Sequence, residues 1–259
     1  MVVADLHLHT TNSDGTLTLD TLPDAARRAG VDAVAVTDHD RVHPALHTPV
    51  AVVDGLTVVH GIELRVDSPA GRVDLLGYGV ERTDALVAEL DRLQQNRIER
   101  ARAIVDCVEA RLDVSLDVAF EAGVGRPHIA RAIADSDADY DYDAAFAELI
   151  GDGCPCFVAR DIPDFEAGRD LLADACGLVS LAHPFRYEEP EAALELTETL
   201  DGVERHYPYG REVDPRPVER AMQAYDLVAT GGSDAHDETL GRAGLDRVGY
   251  QRFRAAFAP

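Results

Sequence analysis

Along most of the chain, short runs of β-branched and apolar residues alternate with stretches whose apolar positions recur every three or four residues. That is the pattern of strands exchanging with helices in an α/β sheet or barrel. It predicts strands at 2–8, 32–37, 56–64, 72–80, 177–182, 202–206 and 227–230, with helices at 17–30, 44–53, 165–176, 189–200 and 215–225. The rhythm breaks after Thr83. Residues 84–110 read as one long charged helix, and shorter helical pieces at 116–122, 128–134 and 143–150 follow with no strand between them. The pattern therefore predicts a barrel-like α/β domain from 1–80 and 157–259, carrying a small helical insertion at 81–156.

Composition narrows the chemistry. The 259 residues include 24 Arg and no Lys, against 31 Asp and 17 Glu, for a formal charge of −24. Without lysine there is no Walker A loop, no Schiff-base lysine and no site for pyridoxal phosphate. So acidic a chain is not a duplex DNA binder of the ordinary basic kind. The acids are spread over the whole length rather than gathered in a tail, a composition similar to that of proteins from organisms with multimolar salt in the cytoplasm. At about 1 M salt the Debye length is about 3 Å, so the net charge does not repel a phosphorylated substrate at long range. The opening MVVADLHLHTT lacks a basic segment followed by an apolar one, and no run approaches membrane-spanning length, so a soluble, cytoplasmic protein is expected. Cys107, Cys154, Cys156 and Cys176 form no CxxC pair; the Cys154-Pro155-Cys156 spacing can bind metal, but free buried thiols are the expectation.

The imidazoles and carboxylates fall at one recurrent place. His7 and His9 lie two apart on the first strand and share a face. Asp14 follows in the loop; His39 closes the second strand in VTDHD and Glu63 the third in GIEL. His183 ends the fifth in LAHP, and Asp234 and His236 follow the last in GGSDAH. All sit at or just past strand C-termini, which is the catalytic face of a β/α barrel, and together they make a metal-site composition. Among the other histidines, His43 and His47 are expected four apart on a helix surface, and His60 packed inside a strand. His206 is left out of the ligand set. Gly231-Gly232 is expected to allow a sharp turn that presents Asp234.

The successive segments DLHLHTTNSDG, AVTDHD, GIEL, LAHP and GGSDAH resemble the motifs of the polymerase and histidinol phosphatase (PHP) family. The NRIER, GRPHIA and LAHPFRY segments resemble the branch holding nucleoside 3′,5′-bisphosphate phosphatases and 5′-to-3′ exoribonucleases. The resemblance implies a distorted (β/α)7 TIM-like barrel with two or three divalent metals, manganese foremost, with zinc, iron or magnesium as alternatives. It implies that His7, His9, Glu63 and Asp234 hold one metal, that Glu63 and His183 hold a second, and that Asp14, His39 and His236 hold a third. The second site departs from the family pattern: Asp74, in VDLLGY, stands where a histidine is usual. It is either an oxygen ligand that favours manganese or magnesium, or a surface acid beside a weak or absent metal.

A hydroxide bridging two metals would be the nucleophile, with no catalytic side chain separate from the metal centre. Three divalent ions would outweigh Asp14, Glu63, Asp74 and Asp234 and leave a cationic pocket suited to a phosphomonoester. Arg97 and Arg100, one helical turn apart, and Arg126 with His128 in GRPH are the expected clamp for a second phosphate. The expected function is a metal-dependent phosphoesterase acting on a small phosphorylated nucleotide, with the 3′-phosphate of nucleoside 3′,5′-bisphosphates as the leading substrate. Short RNA, histidinol phosphate and a non-catalytic metal-binding module are the alternatives.

Overall fold

A computed structural model describes residues 1–257 and contains eight strands. They are β1 (Ala4–Leu8), β2 (Ala33–Val36), β3 (Val50–Val53), β4 (Leu56–Ser68), β5 (Gly71–Tyr78), β6 (Leu178–Leu181), β7 (Gly202–His206) and β8 (Val228–Gly231). The helices are α1 (Leu22–Ala29), α2 (Asp84–Leu112), α3 (Arg126–Ala134), α4 (Tyr142–Ala144), α5 (Phe165–Ala175), α6 (Pro190–Glu195), α7 (Arg216–Tyr225) and α8 (Arg247–Phe257). One sheet runs β1-β2-β4-β5-β6-β7-β8, with β3 paired to β4 alone. The sheet curls back on itself: the segment after β8 pairs with β1 through a parallel bridge between Leu8 and Ala235, and His9 N donates to Ala235 O at 2.9 Å. This is the expected distorted barrel.

Most neighbours in the sheet are parallel, but β5 is antiparallel to both β4 and β6. The inversion follows from a tight hairpin at Ser68–Gly71, which leaves no room for a crossover helix. It lengthens β4 beyond the predicted end at 64, so Glu63 lies inside a strand rather than closing one. It also turns the first half of β5, with Asp74, toward the end of the sheet where the parallel strands finish.

Other expectations are corrected. Residues 44–53 form a turn and the edge strand β3 instead of a helix, because the Val50–Val53 run is β-branched and pairs with β4. His43 and His47 therefore do not share a helix face. Residues 116–122 have no regular structure. Helix α8 was not predicted, yet Phe253 on it is fully buried and packs edge-on against Tyr78 at 5.1 Å between centroids.

The chain divides into two compact units, 1–87 with 162–259 and 88–161. The first has buried apolar clusters formed by its strands with α1 and with α8. The second has its own core, in which Ile104, Val108, Ile129, Ile133 and Leu149 take part. Within it Cys107 and Cys156 form a disulfide, which corrects the expectation of four free thiols; Cys154 and Cys176 are free. Burial pushes the Cys176 thiol up to about 12. No helix among the described residues is long and apolar enough to cross a membrane.

Candidate metal centre

Asp5, His7 and His9, on β1 and just past it, are all buried; the register against β2 shifts by one residue between Asp5 and Leu8, so Asp5 does not share the face that His7 and His9 present to the cluster. His39 follows β2 and forms a bridge with Glu63 of β4, so these two side chains meet: His39 Nδ1 lies 2.7 Å from Glu63 Oε2. Past β6, His183 Nε2 is 3.0 Å from Glu63 Oε1. Past β8, Asp234 Oδ1 is 3.0 Å from His9 Nε2. His236 Nε2 reaches Asp14 Oδ1 at 3.3 Å, and its ring stacks on that of His9 at 4.2 Å. The structure thus brings together all nine residues named as ligands from the sequence.

Four overlapping donor groups result, each with its ligand atoms within 4.8 Å of one another. They are His7, His9 and Glu63; His7, His183 and Asp234; His9, Asp14, His39 and His236; and Glu63, Asp74 and His183. The chemistry of the first three suits divalent cations. His7 Nε2 is buried without a hydrogen-bond partner, standing 3.4 Å from Glu63 Oε1 and 3.5 Å from Asp234 Oδ1. Those gaps are long for hydrogen bonds but match the edges of a coordination shell with bonds of about 2.1 Å, roughly 3.0 to 3.4 Å.

The fourth group differs. Asp74 is buried, which rules out the surface-acid alternative, but both its oxygens are held at 2.7 Å by the Nε and Nη2 of Arg65.

Proton affinities follow the packing. Burial pulls the His7 imidazole down, but Glu204, Asp234 and Glu63 outweigh it and hold it well above its ordinary value. Burial likewise opposes protonation of His39, yet Glu63 and Asp14 raise it to about 9. Burial and the neighbouring His39 lower His9. Burial opposes ionisation of Glu63 and Asp234, but the imidazoles around them keep both carboxyls well below the usual range. Raised imidazoles such as His7 and His39 beside ionised carboxylates are what a metal site becomes when protons take the place of cations.

Around this ring lies a set of groups not singled out from the sequence. Glu204, fully buried on β7, accepts from His7 Nδ1 at 3.1 Å and from His183 N at 2.7 Å, which turns His7 Nε2 toward the donor cluster. Asp38 accepts from Thr10 N, Asn12 Nδ2 and Ser13 Oγ, fixing the loop that carries Asp14. Asp5 accepts from Ser233 N and Oγ and from Gly241 N, fixing the loop that carries Asp234. Tyr207 Oη and Arg186 Nη1 donate to Asp234 Oδ2 at 2.8 and 3.0 Å, leaving Oδ1 to the histidines. Tyr207 directly follows His206, and Arg186 lies in LAHPFRY, so position was the signal available for both.

Backbone geometry is unusual at this end of the sheet. Asp40, His183 and Asp234 have positive φ of 50°, 25° and 49°. Such conformations cost a non-glycine residue of order 1 kcal/mol or more and persist where the surroundings fix them. Gly231 and Gly232 are not themselves in that region; they permit close approach rather than a turn. A Cβ on Gly232 would stand 2.3 Å from His7 N, so only glycine lets this segment lie against β1.

In the second unit, Arg100 is buried and donates to Val158 O at 2.6 Å. Burial and the guanidiniums of Arg126, Arg160 and Arg97 lower it to about 9. Arg126 pairs with Asp152 at 2.6 Å. His128 Nδ1 accepts from Gly125 N at 3.2 Å, so its other nitrogen carries the proton and is a donor.

A distorted barrel with imidazoles and carboxylates converging at one end of its sheet defines a metal-dependent hydrolase of the phosphoesterase type. More specifically, the chain belongs to the PHP domain family, whose model matches residues 5–143. It is 31% identical to the phosphoribosyl 1,2-cyclic phosphate 1,2-diphosphodiesterase of Eggerthella lenta, over 96% of this chain and 99% of that one. It is 28% identical to the 3′,5′-nucleoside bisphosphate phosphatase of Chromobacterium violaceum, over 75% of this chain and 71% of that one. In fold it is similar to a solved structure from Bifidobacterium adolescentis, with a TM-score of 0.79 at 22% identity over 99% of this chain and 96% of that one.

Proposed function

We propose that this chain removes the 3′-phosphate from nucleoside 3′,5′-bisphosphates, with His7, His9, Asp14, His39, Glu63, His183, Asp234 and His236 as metal ligands. The observation that carries the phosphatase reading is the convergence of these groups in overlapping donor clusters, with His7 Nε2 buried and unpartnered beside Glu63 and Asp234. Divalent ions held there, manganese foremost, supply Lewis-acid stabilisation of phosphoryl oxygens and a water nucleophile at neutral pH. The chain's own residues prepare the site. Glu204 fixes the His7 tautomer, and Arg186 with Tyr207 holds Asp234 by one oxygen. Burial keeps His9 readily deprotonated, as a nitrogen ligand must be.

The choice of substrate rests on the arginines. Arg97, Arg100, Arg126 and His128 are the proposed contacts of the second phosphate. The crowding that lowers Arg100 within its own unit is relieved by an anion. Phosphate release from adenosine 3′,5′-bisphosphate in multimolar KCl with manganese tests the proposal. Asp234→Ala or His9→Ala is expected to abolish release while the fold survives, and an active variant would overturn it. The end-to-end similarity to the Eggerthella lenta enzyme favours a second reading, hydrolysis of a phosphoribosyl cyclic phosphate. Turnover of that cyclic diester in preference to the bisphosphate would replace the first reading with the second.

A further inference from the structure

The antiparallel register sets Arg65 of β4 directly across from Asp74 of β5, two residues beyond Glu63. The guanidinium grips the carboxylate by both oxygens, a planar fork on a planar acceptor. Asp74 is further fixed through its backbone, whose O accepts from Ala182 N and whose N donates to the half-buried Tyr187 hydroxyl at 2.9 Å. Its Oδ2 lies 3.7 Å from His183 Nε2, the same nitrogen that stands 3.0 Å from Glu63 Oε1. A guanidinium keeps its proton at physiological pH, so Arg65 is a permanent charge at this position.

A divalent ion drawn to Asp74, Glu63 and His183 would have to sit against that fork and share the same carboxylate oxygen with it. Like charges at such separation in a buried setting oppose one another strongly. We propose that Arg65 takes the place of a metal ion here: the centre holds two divalent cations, Asp74 is the anchor of Arg65 rather than a ligand, and Arg65 binds a phosphoryl oxygen of the substrate. The Arg65 side chain is 39% exposed, so a ligand can reach it while its inner edge stays on Asp74. The inference rests on the phosphoesterase reading above and concerns what occupies one corner of its site.

The test is the number of manganese ions per chain at saturation, measured by elemental analysis after equilibrium dialysis. The intact protein is expected to bind two. Arg65→Gln, which frees Asp74, is expected to bind three, whereas Asp74→Ala stays at two. Arg65→Lys keeps the charge but loses the fork, so it is expected to keep two ions and raise KM for adenosine 3′,5′-bisphosphate about tenfold with little change in kcat. Three ions in the intact protein, or a count of two that Arg65→Gln leaves unchanged, overturns the replacement while the phosphoesterase reading stands. An unchanged KM in Arg65→Lys overturns the phosphate contact. No bound manganese at all overturns the metal-centre reading and this inference with it.

Discussion

Glu204→Gln removes one negative charge and changes almost nothing in shape, which makes it a sharp probe of how the ligands are held. Glu204 is fully buried and accepts from two donors, His7 Nδ1 through Oε1 and His183 N through Oε2. A glutamine offers only one oxygen, so whichever way the amide turns, its NH2 group meets one of these donors head on. Leaving such a buried donor unsatisfied costs about 1–3 kcal/mol. If the loss falls on His7, its Nδ1 proton is no longer fixed and Nε2 is no longer presented to the metal. Loss of an outer carboxylate of this kind weakens metal binding by about 10–100-fold. Manganese affinity by chelator competition, with melting temperature alongside, reads both effects; the melting point should fall by about 2–4 °C for each kcal/mol lost. Measuring at pH 9 as well as pH 7 separates ligand positioning from the altered proton competition at His7. Glu219→Gln, which touches only a half-exposed pair with Arg205, is the control expected to change neither. Manganese affinity within twofold of the parent at both pH values would refute the reasoning.

Three further outcomes follow from the same structure. His39 is raised to about 9 from an ordinary 6.5, with Glu63 the principal partner opposing the effect of burial. Its contribution to the metal-free fold is complete below pH 6.5 and is lost as the pH rises through 9. The chelated protein should therefore melt progressively lower over that window, and a flat profile would contradict the charge assignment. Alkylation of the denatured, unreduced chain should label two thiols, Cys154 and Cys176, rather than four. Reduction should cost up to about 4 kcal/mol by the loop-closure relation for the 49-residue separation of Cys107 and Cys156. Finally, a chain of net charge −24 should gain melting temperature steeply between low and multimolar KCl as repulsion is screened, and a salt-independent melt would remove the basis for the high-salt reading.

Much of the centre was legible because its residue types are rare and its strand ends recur. Ten histidines in 259 residues are few enough that HxH, DHD, AHP and DAH stand out beside apolar runs. The strands they follow were legible from β-branched runs. What failed to show was whatever depends on packing across the chain. The 44–53 segment carries helix-compatible spacing, but pairing with β4 decides its state. Inversion of β5 comes from the short hairpin rather than from any periodicity, and it is this inversion that brings Arg65 against Asp74. The Cys107–Cys156 bond spans a distance no local pattern encodes.

The acids that matter most were hidden for a different reason. Asp5, Asp38 and Glu204 are three among 48 acidic residues, and nothing in a uniformly acidic sequence separates a solvated carboxylate from a buried one. Each of the three ties together parts of the ring that come from different strands. Asp5 joins β1 to the loop after β8, Asp38 joins the end of β2 to the loop after β1, and Glu204 joins β7 to His7 of β1 and to His183 after β6. A buried carboxylate is costly unless its lone pairs are filled, and these are filled by backbone N–H groups and side-chain donors of the very loops that carry the ligands. The cost of burying the acids therefore fixes the loops: releasing any one of them would leave the carboxylate unsatisfied. That accounts for how residues such as Asp234 and His183 keep strained backbone angles, and for how the donor atoms stand at coordination-shell spacing before any cation draws them together.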